Sequence, residues 1–227
     1  MSDAERVVVL GGHGKVALLT APKLTSAGYS VDSVIRDPAQ SGDVEAAGGN
    51  PVVLDIERAD VEALTEAFDG ARAVVFAAGA GGGDPARTAR VDHEAAVRAM
   101  RAAEKAGVRR FVIVSYAGAG VDVDRIDPDN PFYAYAKAKH DADAHLRGTE
   151  LDFTILGPGN LTLEPATGKI RLADADGTID GRQPGDEGRT SRDNVAEVIT
   201  HVITANAGIR QTVNFYDGPT PIPEALP

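Results

Sequence analysis

The chain's organisation turns on one stretch, Val7–Leu24, which reads VVVLGGHGKVALLTAPKL. Its first four residues are apolar and suit a buried strand; glycines follow at 11, 12 and 14, and a helical pattern opens at Lys15 with small Ala17 in its first turn. The stretch satisfies G-x-G-x-x-A counted from Gly12 and G-x-x-G-x-x-A counted from Gly11. Glycine permits the tight turn and a close backbone approach to a pyrophosphate, while a helix N-terminus offers unpaired N–H groups and partial positive charge to the same anion. Gly11, Gly12, His13, Gly14, Lys15 and Val16 are therefore candidate cofactor contacts, against the competing reading of a purely structural turn. His13 itself is expected to sit solvated in the loop.

Beyond this stretch, short runs rich in Val and Ile recur at Arg6 to Leu10, Val31 to Ile35, Pro51 to Leu54, Ala73 to Ala77, Arg110 to Val114 and Leu151 to Leu156. Between them lie segments of helical period, roughly Lys15 to Ala27, Ala39 to Gly48, Ala59 to Phe68, Arg87 to Ala106 and Pro131 to Arg147, with Gly28, Gly48, Gly70, Gly107 and Gly148 at or just past their ends. Continuous apolar strands joined by helices predict a doubly wound α/β fold, a parallel sheet covered on both faces. After Leu156 the pattern loosens into GPGNLTLEPATG, a strand near Ile170 to Ala173, an acidic glycine-rich stretch, a helix near Asp193 to Ala205 capped by Thr190 or Ser191, and a final strand in TVNFY. We read one domain over 1–227, of which 157–227 is a small substrate-side extension with the C-terminal tail.

Composition narrows the function. The 227 residues carry a formal net charge of −11 and no Lys/Arg run, which disfavours a nucleic-acid partner. No cysteine is present, so disulfides, thiolate nucleophiles and Cys-based metal sites are excluded. The five histidines include no i, i+4 pair, and no metal is expected; the carboxylates from Asp122 to Asp129 read as a solvated flap above the pocket. MSDAERVVVL shows no leader pattern and no run is long enough to span a membrane, so the expectation is a cytoplasmic protein without a membrane partner, with a homodimer through the long helices as an open possibility.

Ligands of open α/β sheets bind outside the carboxyl ends of the strands, which selects further candidates. At the end of the second strand, Arg36 suits the 2'-phosphate of NADP. NAD stays open, because Asp37 turned inward could hold ribose hydroxyls; Asp32 lies at the strand's beginning and is too far back. Asp55 is placed to accept from an adenine amino group with Ile56 beside the ring, and Ala77, Ala78 and Gly79 are small enough to let the cofactor approach.

GGHGKVA, VIRD, LDI, FAAGAG, RRFVIVS, YAKAK, ILGPGNLT and TSRDNVA together resemble the short-chain dehydrogenase/reductase superfamily, in particular its compact atypical NAD(P)H-binding branch, epimerase/dehydratase-like or NmrA-like. The tyrosine–lysine spacing of that family occurs twice here, as Tyr133 with Lys137 and Tyr135 with Lys139. On a helix through this segment Tyr135, Ala138, Ala142 and Leu146 form an apolar stripe with Lys139 alongside, whereas Tyr133 shares its side with Lys137, His140 and Asp141. The inner pair is thus the candidate, and YAKAK gives the same choice. The resemblance implies that Tyr135 is the general acid or base toward a carbonyl or hydroxyl, and that Lys139 holds the nicotinamide ribose and lowers the phenol's pKa; Ser115, at the fifth strand's end, either reaches the substrate oxygen or only caps the strand. Relatives often carry that serine one or two places later, where this chain has Tyr116 and Ala117. Pro158 is expected to shape the turn beside the nicotinamide, and Asn160 to meet cofactor or substrate. Arg192 and Asp193 are read as anchors of the last helix. The function implied is an NADP-dependent oxidoreductase acting on a small carbonyl or alcohol. The alternatives are an NADP(H) redox sensor without turnover, or a sugar epimerase/dehydratase relative.

Overall fold

Strand β1 (Arg6–Leu10) is an interior strand of the main sheet, its Val7 to Leu10 side chains removed from water. The structure, a computed structural model, describes residues 4–81, 84–121, 123 and 126–227. Six parallel strands, β1, β2 (Ser30–Ile35), β3 (Asn50–Val53), β4 (Ala73–Phe76), β5 (Arg110–Val114) and β6 (Asp152–Pro158), match the six apolar runs. Strand β10 (Gln211–Asp217) continues the sheet in parallel beside β6, and β8 (Lys169–Leu172) and β11 (Thr220–Pro221) close it antiparallel, giving the order β11-β8-β10-β6-β5-β4-β1-β2-β3. The chain direction across the sheet reverses between β1 and β4, so the crevice at their carboxyl ends is where a ligand of this fold binds.

Helices cover both faces. On one, α1 (Lys15–Ser26) and α7 (Arg192–Thr204) bury Ala17, Leu24, Val195, Ile199 and Val202 against β1 and β10. On the other, α3 (Val61–Phe68), α5 (Ala96–Lys105) and α6 (Tyr133–Arg147) bury Leu64, Phe68, Met100, Ala142 and Leu146. Ser191 caps α7, accepting from the N–H groups of Asp193 and Asn194, as anticipated. Among the described residues, no helix is long and apolar enough to cross a membrane.

Four expectations need correction. The helix expected over Arg87 to Ala106 runs without a break from Pro85 to Lys105, but its hydrogen bonding changes along it: α4 (Pro85–Thr88), a π-helical segment (Ala89–Ala95), then α5. The helix expected from Ala39 is a short 3-10 turn at Pro38–Gln40 followed by α2 (Ser41–Ala46). The helix expected from Pro131 starts at Tyr133; Asn130, in the preceding turn, accepts from Phe132 N–H. The loop-rich extension also contains β7 (Asn160–Thr162) and β9 (Arg189–Ser191), paired in parallel as a second small sheet, and a terminal turn of helix α8 (Ile222–Ala225). Of the expected acidic flap, Asp122 and Asp124 lie outside the described residues, while Asp127 accepts from Asp129 N–H in an exposed turn.

Candidate cofactor cleft and active site

The glycine loop nests between two strand ends. Gly11 has φ +80°, and a Cβ there would lie 2.7 Å from the Cα of Ala78; a Cβ on Gly12 would lie 2.6 Å from that of Ser33. Gly12 is buried and donates its N–H to Val34, so the room gained by these two glycines goes into packing on β2 and β4. Gly14 opens α1 with no capping side chain, and the first turn holds no acidic residue. Its N–H groups, including those of Lys15 and Val16, thus have no intrahelical acceptor and present positive charge outward.

A cleft of about 260 Å³ opens at this point, lined by Gly11, His13, Gly14, Arg36, Asp55, Ile56, Ala77, Ala78 and Gly79 among others. Nine of the residues singled out from sequence therefore meet in one place. Lys15 lies on a neighbouring groove with Leu163 and Arg192, and the Val16 side chain is buried behind the loop. His13 is not merely solvated: its Nε2 lies 2.8 Å from the Asp43 carboxylate, tying the loop to α2. Asp55 spends one oxygen on Glu57 N–H at 3.0 Å, leaving the other toward Arg58 at 3.7 Å.

The far end of this cleft holds a charge arrangement that single-residue reasoning missed. Glu57 accepts from Arg90 at 2.8 Å and from Arg87 at 3.3 Å, and Arg36 approaches it at 3.9 Å. The Arg90 hydrogen bond, aided by Arg87 against the cost of burial, holds the Glu57 carboxyl below its usual value. Three guanidinium groups thus surround one carboxylate, and both Arg36 and Arg87 line the cleft. Asp37 does not: its carboxylate folds back to accept from Ala39 N–H at 2.9 Å. Asp32 is engaged at the opposite strand end by Arg6 at 2.7 Å.

A second cleft, about 590 Å³, lies beyond the ends of β5 and β6 and is lined by Ser115, Tyr116, Phe132, Tyr135, Pro158 and Asn160, among others. Tyr135 lies on its wall, and among the described residues its hydroxyl has no hydrogen-bond partner. Lys139 is 3% exposed; its Nζ donates to the carbonyl of Val114 at 2.9 Å and stands 3.3 Å from Asp92, itself 1% exposed. Asp92 comes from the π-helical segment and its other oxygen accepts from Ala80 N–H, which links Lys139 to the loop after β4. Burial works to lower the Lys139 pKa, but its electrostatic coupling to Tyr135, Asp92 and Asp143 outweighs it and the net direction is up. The expected lowering of the Tyr135 pKa is not realised: burial pushes the phenol up, and the pull of Lys139 is too small to reverse it.

Ser115, just past β5, has its hydroxyl engaged. It lines the cleft, but its hydroxyl donates to Asp143 at 2.7 Å, and the remaining oxygen of Asp143 is buried without a partner. Burial raises the Asp143 carboxyl above its ordinary value. Asp143 follows Tyr135 and Lys139 at four-residue intervals, so the inner face of α6 carries all three; that spacing was the signal available in the sequence. Pro158 ends β6, and its carbonyl accepts from Ala117 N–H at 2.9 Å. Arg192 donates to the carbonyls of Leu161 and Thr162, both at 3.0 Å, and Asp193 pairs with Lys23 at 3.0 Å, which suits their reading as anchors of α7.

A parallel sheet with a glycine loop at its switch point and an inward tyrosine–lysine pair defines the atypical short-chain dehydrogenase/reductase class. The chain belongs to the NAD(P)H-binding family, whose profile matches residues 11–206. It is 34% identical over 240 residues to the UPF0659 protein C216.03 of Schizosaccharomyces pombe, covering 96% of this chain and 92% of that one. It is 30% identical over 223 residues to YhfK of Bacillus subtilis, named an uncharacterised sugar epimerase, covering 97% and 98%. A solved protein of Bacillus halodurans, provisionally assigned as an NAD-dependent epimerase/dehydratase, superposes with a TM-score of 0.84 at 32% identity over 98% of both chains.

The residues present fit a nicotinamide dinucleotide: the uncapped start of α1, the small residues after β4, Arg36 at the β2 end and Arg87 of α4 border one continuous cleft.

Proposed function

We propose that the protein is an NADP-dependent oxidoreductase that interconverts a small carbonyl and the corresponding alcohol. The observation that carries this reading is Tyr135, a tyrosine on the cleft wall with its hydroxyl unpartnered among the described residues and a buried lysine one helical turn away. When bound, the nicotinamide nucleotide supplies or accepts the hydride. Gly14 and the first turn of α1 hold the diphosphate, and Ala77, Ala78 and Gly79 admit the adjoining ribose. Lys139, fixed by Val114 and Asp92, has one N–H left for a ribose hydroxyl. In the reducing direction Tyr135 gives its proton to the carbonyl oxygen; a phenol held above its ordinary pKa keeps that proton at neutral pH.

Arg36 and Arg87 support the phosphorylated nucleotide. Each can exchange its ion pair with Glu57 for a 2'-phosphate, and Asp37, the acidic competitor, is turned into its own backbone. Thermal-shift titration with NADPH and NADH checks this. NADPH should stabilise the parent more than NADH at equal concentration, and Arg36→Ala with Arg87→Ala should erase that preference, by on the order of tenfold or more in affinity. Equal stabilisation of the parent by the two nucleotides would remove the assignment.

A second reading is favoured by one observation, the commitment of the Ser115 hydroxyl to Asp143. With no free serine for the substrate oxygen, the same cleft would serve a sensor that binds NADP(H) and reports its redox state without turnover.

A further inference from the structure

The second cleft has an unusual charge balance for a chain of net charge −11. Among the described residues that line it there is no Asp, Glu, Lys or His, and Arg192 is the one charged side chain. The Arg192 guanidinium is fixed in place by the carbonyls of Leu161 and Thr162, and these use only Nη1. No carboxylate among the described residues pairs with it: Asp193 is held by Lys23 and by Ala166 N–H, Asp217 by Ser191 and Asn194, and Glu164 lines the adjoining groove without an ion pair to Arg192. An oriented guanidinium with spare donors and no counter-ion, at the edge of a cavity, is built for an anion.

The same cleft also has an apolar wall. The rings of Tyr116, Phe132 and Tyr135 form a triangle with centroids 5.3, 5.5 and 5.4 Å apart, and Phe132 remains 45% exposed. Burial pushes the Tyr116 phenol up to about 12, so this wall stays uncharged. A large aromatic left open to solvent beside a cavity favours a flat apolar ligand surface.

We infer that the substrate is a carbonyl compound with a flat apolar body and an anionic substituent, the body against the Tyr116, Phe132 and Tyr135 rings and the anion on Arg192. The inference rests on the reductase reading for the carbonyl and on the cleft alone for the anion. A sugar without an acidic group would leave Arg192 unmatched, which separates this substrate class from a neutral hexose.

The experiment uses the full chain loaded with NADPH and a matched pair of probes, para-carboxybenzaldehyde and para-methylbenzaldehyde. The parent should prefer the carboxylate by about tenfold in kcat/KM, and Arg192→Gln should lose that preference while Arg192→Lys keeps part of it. Because Arg192 also anchors β7, the comparison is a ratio within each variant, so a general loss of activity cancels. A parallel arm measures binding of unreactive para-methylbenzoate and its methyl ester to the NADP complex by thermal shift. Selective binding of the benzoate, lost in Arg192→Gln, supports the anion site even where no aldehyde turns over, and in that case the reductase reading fails alone. Turnover of both aldehydes at equal kcat/KM, or equal binding of benzoate and ester, overturns the inference and leaves the reductase reading intact. A tenfold loss of NADP affinity in Arg192→Gln with the carboxylate preference unchanged would also overturn it, by assigning Arg192 to the cofactor.

Discussion

Helix α6 carries two tyrosine–lysine pairs two residues apart, and each lysine has an aspartate. On the outer face Lys137 meets Asp141 at 2.8 Å, with the two side chains 50% and 32% exposed. On the inner face Lys139 meets Asp92 at 3.3 Å, with both almost wholly buried. The shorter contact is the weaker device. In water the outer charges are screened and their ordering costs side-chain entropy, whereas the inner charges lie where attraction is strong and an unpaired partner is costly. The rotation of the helix by two residues thus separates ordinary surface chemistry from a buried electrostatic cluster.

Removal of each aspartate probes this contrast. Asp92→Ala leaves Lys139 buried with only a backbone carbonyl, and should cost about 3–5 kcal/mol of stability, whereas Asp141→Ala should stay within about 1 kcal/mol. Denaturant titration of the two variants measures both, and comparable losses would abolish the distinction.

A smaller effect belongs to Asp143. Burial raises its carboxyl in the folded state, ahead of the opposing Ser115 hydrogen bond and the charges of Lys139, Arg147 and His140. A carboxyl with a raised folded pKa contributes stability that is complete below its unfolded value and is lost as pH rises through its folded value. Asp143→Asn, which does not titrate, should therefore gain on the parent as pH climbs from about 4 toward neutrality. The gain should amount to a few degrees in Tm, on the order of 1 kcal/mol. A Tm difference that stays flat over that range, or shrinks, contradicts the burial argument.

Much of this was legible in the sequence. The six apolar runs became the six parallel strands because continuous Val/Ile-rich segments suit a sheet buried on both faces. Arg36, Asp55 and the small residues after β4 met in the cleft because strand ends converge in any sheet of this kind. The features that were missed depend on contacts distant in the chain. Glu57 and Arg87 are 30 residues apart, and neither signals a partner by local spacing. Asp92 points inward through a π-helical segment that changes the phase of an otherwise regular helical pattern. The pairing of β7 with β9 joins two three-residue strands, too short for any alternation to be read. Asp143 was visible in principle, four residues beyond Lys139, but the Ser115 hydroxyl that meets it lies across the sheet-to-helix interface.

Single-turnover oxidation of NADPH by a carbonyl substrate, followed in the parent, Tyr135→Phe and Tyr133→Phe, reaches the proposed chemistry itself. The inner tyrosine as proton donor predicts a rate lowered by about 10²–10⁴ in Tyr135→Phe and essentially parental in Tyr133→Phe. An undiminished rate in Tyr135→Phe would contradict it.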